Sequence, residues 1–280
     1  MRRMTNNLLR LLVLGFALLA QAACTSTTLP PYEASYTTKI RGVNIKGVRK
    51  FEHVEENRYR ISWKARKLWM QLQQWSEFEV VDGNTIRPIS YHYTRKGLGT
   101  DRPVHIYFDW ERMQVNGSKG KKEYQYALEP GTLDRLSYEV QMQMDMLRSA
   151  ERDELLYRVA NHDRLKTYRF KFQRKETIDT ALGEVETLVY ARSKKKETIE
   201  IWLSPEQYYL PVRVEQLEDD RRSVIAIKSW AASKPVQDRN SMRVSRLNPA
   251  LQPQATTLEY SESSTGEAAD INGNVPDDDF

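Results

Sequence analysis

The chain has 280 residues, 40% of them hydrophobic and 29% charged, with a formal net charge of +5, one cysteine, twelve glycines and eleven prolines. That composition excludes a collagen-like repeat, a disulfide-stapled scaffold and a chain disordered throughout. The length suits one large or two ordinary domains, and only one stretch, near the N-terminus, is apolar enough to enter a bilayer, which excludes a multi-span membrane protein.

That stretch is read first. Arg2, Arg3 and Arg10 precede an apolar run over 11–20, and small residues follow as far as Ala23. A basic start, a short apolar middle and a small-residue exit predict a secretory signal peptide over 1–23 and a periplasmic destination. Two cleavage readings stand side by side. Ala20-Gln21-Ala22 fits a small-residue cleavage site that releases a soluble protein, the preferred reading. Ala22-Ala23-Cys24 resembles a bacterial lipobox, in which Cys24 becomes the acylated first residue of an outer-membrane lipoprotein. In that case the lipid anchor is the chain's contact with the membrane. Cys24 is the sole cysteine, so no intramolecular disulfide is expected and the fold rests on its own core.

From Tyr32 to Trp230 apolar residues alternate with polar ones. The runs are Tyr32/Ala34/Tyr36, Tyr59/Ile61/Trp63/Ala65, Ile89/Tyr91/Tyr93, Val104/Ile106/Phe108, Tyr168/Phe170/Phe172 and Ile199/Ile201/Leu203. Side chains on a strand point alternately to opposite faces, so each run predicts a strand with one buried and one wet side, the mark of an antiparallel sheet. Turns are expected at Asp82-Gly83-Asn84, at 116–120 and at Glu218-Asp219-Asp220.

One segment breaks the alternation. Leu133, Leu136, Val140, Met144 and Leu147 fall at helical spacing, and the pattern predicts a helix over about 132–149, with Thr132 as N-cap and Asp134 in the first turn. Tyr138, Met142 and Met146 form a second apolar stripe nearly opposite the first. A helix apolar on two sides is either sandwiched in a core or lines a cavity. After Trp230 the periodicity ends; residues 235–280 carry eight acids against three arginines and predict a disordered acidic tail able to meet an envelope protein partner.

Chemistry leaves few marks. His53, His92, His105 and His162 are scattered without metal-ligand spacing, so no metal and no cofactor are expected. Neither a G-x-S-x-G elbow nor a phosphate-binding glycine loop occurs, and the protein is expected not to be an enzyme. Without the tail and the three leader arginines, 37 basic residues face 30 acidic ones. Arg58, Arg60, Lys64 and Arg66 share the polar face of one strand, and Arg169 and Lys171 that of another, a surface suited to anionic glycan or lipopolysaccharide. Nucleic acid is not an expected partner of an exported chain.

Several stretches resemble a bacterial exported family catalogued as domain of unknown function 3108. These are Leu29-Pro30-Pro31-Tyr32-Glu33-Ala34-Ser35-Tyr36, Leu133-Asp134-Arg135-Leu136-Ser137 and Thr167-Tyr168-Arg169-Phe170-Lys171. The more specific ones come later: Thr180-Ala181-Leu182-Gly183-Glu184-Val185-Glu186, Ile201-Trp202-Leu203-Ser204-Pro205 and Tyr209-Leu210-Pro211-Val212-Arg213. The resemblance spans about 29–232 and implies export and a β-rich fold, with no activity attached.

A sheet apolar on one side needs a cover, and a single helix covers so many strands only if the sheet curls around it. The expected architecture is therefore mainly β: one curved antiparallel sheet, or an incomplete β-barrel, around a central helix. Such a shape can leave an apolar cavity, so the leading expectation is a non-enzymatic envelope protein binding a lipid or acyl chain against Tyr138, Met142, Met146 and Trp63. The alternatives are glycan binding on the basic face and a structural role in envelope assembly.

Overall fold

A computed structural model describes residues 29–40, 43–67, 70–97, 102–150, 152–194, 197–219 and 221–232. The expected leader, Cys24 and the acidic tail lie outside the described residues. The first meander comprises β1 (Tyr32–Ile40), β2 (Val43–Glu55), β3 (Arg58–Lys67), β4 (Met70–Val81), β5 (Thr85–Lys96), β6 (Val104–Asp109), β7 (Gln114–Lys119) and β8 (Lys122–Ala127). A short β9 (Thr132–Leu133) leads into the helix α1 (Ser137–Arg148). The second meander comprises β10 (Glu154–Ala160), β11 (Leu165–Thr180), β12 (Gly183–Lys194), β13 (Glu197–Ser204), β14 (Leu210–Glu218) and β15 (Arg221–Ala232). A 3-10 turn, Pro205–Gln207, joins β13 to β14.

All fifteen strands form one sheet, running from β8 back to β1, then from β15 back to β9. The first and last strands pair antiparallel at its middle, fusing the two meanders. The parallel β9–β10 pair is the exception to antiparallel pairing. The sheet curls around α1 as an incomplete barrel, as the alternation implies. Its outermost strands, β8 and β9, share no ladder.

Three local expectations change. Thr132 and Leu133 belong to β9 and the helix begins only at Ser137, because Asp134 supplies the cap: its Oδ1 accepts from the backbone N–H of Leu136 and Ser137 at 2.8 and 2.9 Å. On β5 the buried positions are Ile86, Pro88, Ser90 and Tyr91, since a register shift opposite Glu77/Phe78 places Ile89 in a bulge and reverses the alternation beyond it. Residues 116–119 lie inside β7, and the turn follows at Gly120. The turn at Asp82-Gly83-Asn84 forms as expected, a three-residue loop between the paired Val81 and Thr85, with left-handed φ of 53° at Asp82 and 68° at Gly83.

The core draws on both meanders and on the helix. Ile61, Phe78, Tyr91, Ile106, Phe170 and Leu203 surround Val140, Met142 and Met146, all almost without exposure. Burying each methionine contributes about 1.5–3 kcal/mol. Polar ties fix the helix to the sheet: Ser76 donates to Asp134 at 2.6 Å, Ile86 N–H to Gln141 at 2.8 Å, Tyr32 to Gln143 at 3.0 Å and Tyr157 to Asp145 at 3.2 Å. Arg49 donates to Tyr32 at 2.8 Å and forms an ion pair with Glu139. Burial opposes the Arg49 charge, yet Tyr32, Glu139 and Tyr36 hold its pKa above that of an ordinary arginine.

The open side of the barrel is fastened by side chains. Tyr126 on β8 donates to the Asn161 carbonyl in the β10–β11 turn, the Tyr124 and His162 rings meet edge-on at 5.3 Å, and Arg158 donates to Pro130 O at 2.9 Å.

Candidate ligand-binding cleft

The β14–β15 ladder ends at the pair Arg213/Ala226. Beyond it the strands diverge, because each carries an extra residue: Val212 on β14, between Pro211 and Arg213 in the pairing with β13, and Lys228 on β15, between Ile227 and Ser229 in the pairing with β1. Bulges bend a strand and re-aim its side chains, and two in adjacent strands open a fork. The tip of the β11–β12 hairpin closes over this fork. The result is a cleft of about 350 Å³ lined by 178–181, Val212, Arg213 and 226–228.

Local structure holds both walls. At the hairpin tip, Thr180 Oγ1 accepts from Leu182 N–H at 3.0 Å and donates to Gly183 O at 2.9 Å. Before β14, Tyr208 and Tyr209 both have φ of 56°, a left-handed conformation costing a non-glycine residue about 1–3 kcal/mol. It is held by Tyr209 N–H donating to Ser204 O at 2.7 Å and by Gln143 of the helix donating to Tyr208 O at 3.1 Å. Tyr36 crosses from β1 to donate to Pro211 O at 2.9 Å. The path of β14 into the fork thus depends on contacts with α1 and β1.

The walls are apolar and the rim is charged. Ile178, Val212 and Ile227 are buried, with Ala181 and Ala226 beside them, while Lys228 and Asp179 are exposed at the edge. Arg213 lies over the Trp202 ring at 5.2 Å and pairs with Glu215, and its Nε is buried with no hydrogen-bond partner. Trp202 is buried between Arg213 and Arg174 and donates its indole N–H to Glu176 at 3.1 Å, which holds its ring in place. That bond, first among the influences on it, holds the Glu176 carboxyl below the usual range.

The residues selected from the sequence lie elsewhere. Met142 and Met146 are sealed in the core at 1% and 0% exposure. Tyr138 packs on Tyr168 and Phe170 at 5.2 and 6.0 Å, whereas Trp63 packs on Tyr36 at 5.2 Å, its ring filling the space above Gly47. The helix therefore has both apolar stripes in packing contact. On the polar face Arg58 pairs with Glu55 and Glu79, Arg60 with Glu77 and Arg169 with Glu154; Lys64, Arg66 and Lys171 are exposed. Ile178 and Lys228 were not singled out, because a bulge depends on the partner strand's register. Two stretches carrying the family resemblance, 180–186 and 209–213, do meet at the cleft.

Among the described residues, no group of three or more His, Cys, Asp or Glu is placed to hold a metal ion, and no helix is long and apolar enough to cross a membrane. A family model described as "Protein of unknown function (DUF3108)" matches residues 31–220. A comparison with curated proteins gives no match. Among solved structures, the chain is similar to the "Beta-barrel-like Protein of Domain of Unknown Function DUF1849 from Brucella abortus". The TM-score is 0.50 at 11% identity, covering 73% of this chain and 98% of that one, a likeness of fold.

Proposed function

The chain belongs to the DUF3108 family, and from that premise we propose that it is a non-enzymatic envelope protein binding an amphipathic anion, an acyl chain with a carboxylate or phosphate head, in the cleft between β14, β15 and the β11–β12 turn. One observation carries the reading: apolar walls stand beside two cations, the half-buried Arg213 and Lys228 at the rim. An acyl segment gains from leaving water along Ile178, Val212 and Ile227, while its head meets positive charge. The volume is near the low end of the range of about 300–1,000 Å³ for small-molecule sites, so the cleft takes part of a chain rather than a whole lipid. The leader expected over 1–23 supports an envelope location, where such ligands occur. The glycan reading is weaker, since acids already engage three of its six cations.

The test is titration of the folded full chain with a fluorescent long-chain polyene fatty acid. Saturable binding is expected, abolished by Ala181→Trp at the exposed tip and weakened at least several-fold by Lys228→Glu. Circular dichroism establishes that both variants fold. Absence of saturable binding, or binding indifferent to Ala181→Trp, overturns the proposal.

A further inference from the structure

In sequence the histidines are scattered, but sheet register brings two together. His92 on β5 and His105 on β6 are direct ladder partners, with their Nδ1 atoms 2.7 Å apart. One ring donates and the other accepts, so two ring nitrogens converge on a single point occupied by one proton. We propose that His92 and His105 form a surface site for a divalent transition-metal ion of tetragonal preference, copper(II) foremost.

The separation selects the ion. Two nitrogens bound at about 2.0–2.1 Å lie about 2.9 Å apart across a right angle and about 3.3 Å apart across a tetrahedral one. The rings must open by only a few tenths of an ångström to reach the right-angle arrangement of copper(II) or nickel(II), and farther for zinc. Copper(II) also stands highest in the affinity order of the first-row divalent ions. On binding, the metal replaces the shared proton, and the ring that held it at Nδ1 carries a proton at Nε2 instead. Both imidazoles stay neutral, and water completes the coordination.

The site is held before any metal arrives. Trp75 stacks on His92 at 4.6 Å and 14°, and Tyr107 meets the same ring edge-on at 5.4 Å. The pair also sits at a narrow junction. β5 and β6 are joined at four register positions, against eleven between β4 and β5. A metal bridging His92 to His105 thus staples the weaker ladder.

Copper(II) titration of the folded full chain, followed by electron paramagnetic resonance and tryptophan fluorescence, tests this. One equivalent is expected to give a signal split by two nitrogens, quenched emission and a raised Tm. His92→Ala and His105→Ala each remove all three, whereas His53→Ala changes none. Trp75→Phe keeps the resonance signal and loses much of the quenching. A two-nitrogen signal that survives in the His92→Ala/His105→Ala double variant overturns the proposal, as does a folded wild-type chain that takes up no copper.

Discussion

Gly117 on β7 lies directly against the backbone carbonyl of His162, so closely that a Cβ at position 117 would fall 2.0 Å from its oxygen. These residues are far apart in sequence and belong to opposite meanders. Their contact, with the Tyr126–Asn161 hydrogen bond beside it, brings the two ends of the sheet together without a ladder. Gly117 is therefore needed for close approach, and the barrel's closure is concentrated in a small seam.

Gly117→Ala should destabilise the protein by about 1–3 kcal/mol, because the obstacle is backbone and cannot swing aside as a side chain would. Tyr126→Phe, which removes one hydrogen bond from the same seam, should cost about 1 kcal/mol. Urea unfolding monitored by circular dichroism measures both. Equal stability of Gly117→Ala and wild type would show that the ends are not in contact in solution.

Arg49 and Glu139 form the ion pair joining β2 to the helix. Arg49→Ala should cost near the lower end of about 3–5 kcal/mol, since Glu139 retains some contact with water. The double variant Arg49→Met/Glu139→Leu should regain most of that loss. One terminal nitrogen of Arg49 has no hydrogen-bond partner even in the intact pair, so apolar replacement relieves an existing cost. A double-mutant cycle on unfolding free energies tests the expectation.

Asp134 is fully buried, and its carboxyl pKa is raised by burial against the opposing hydrogen bonds from Ser76, Ser137 and Leu136. A carboxyl with a raised folded-state pKa favours the folded state most when protonated. Its contribution is full below the unfolded value of 3.8 and declines as pH rises through the folded value. Wild type should therefore lose stability relative to Asp134→Asn as pH rises from 3.8. Asp134→Ala should be worse than Asp134→Asn throughout, because alanine leaves the helix start and Ser76 without an acceptor. Parallel melts across that range decide it.

His92 has a folded-state pKa below 6.5, through burial first and then His105. Below the unfolded value the unfolded chain binds the proton more readily, so acidification through pH 6.5 should destabilise wild type relative to His92→Gln. Above that pH the difference should be flat. Melting both proteins between pH 8 and pH 5, without metal, measures it.

The alternation of Tyr32, Ala34 and Tyr36 was enough to place a strand and its buried side, because a period of two is a property of the extended backbone alone. The helical stretch after β9 was equally visible, although its first residues were misplaced. Thr132 has the chemistry of a cap, but it is committed to the β9–β10 pairing, and Asp134 caps in its place. Ile89 was misread for a related reason: its strand pattern is regular until the bulge, and the bulge is set by β4.

By itself, the amino-acid sequence determined the strand-rich class, the helix with two apolar stripes, the alternating faces and the family. Those properties follow from local periodicity and from stretches of adjacent residues. Tertiary structure decided that Met142 and Met146 are core, that the cleft opens where Val212 and Lys228 bulge, and that His92 meets His105. Each of these depends on the register between strands. Register is settled by how all fifteen strands pack around α1 and close at Gly117, information carried by no single segment of the chain.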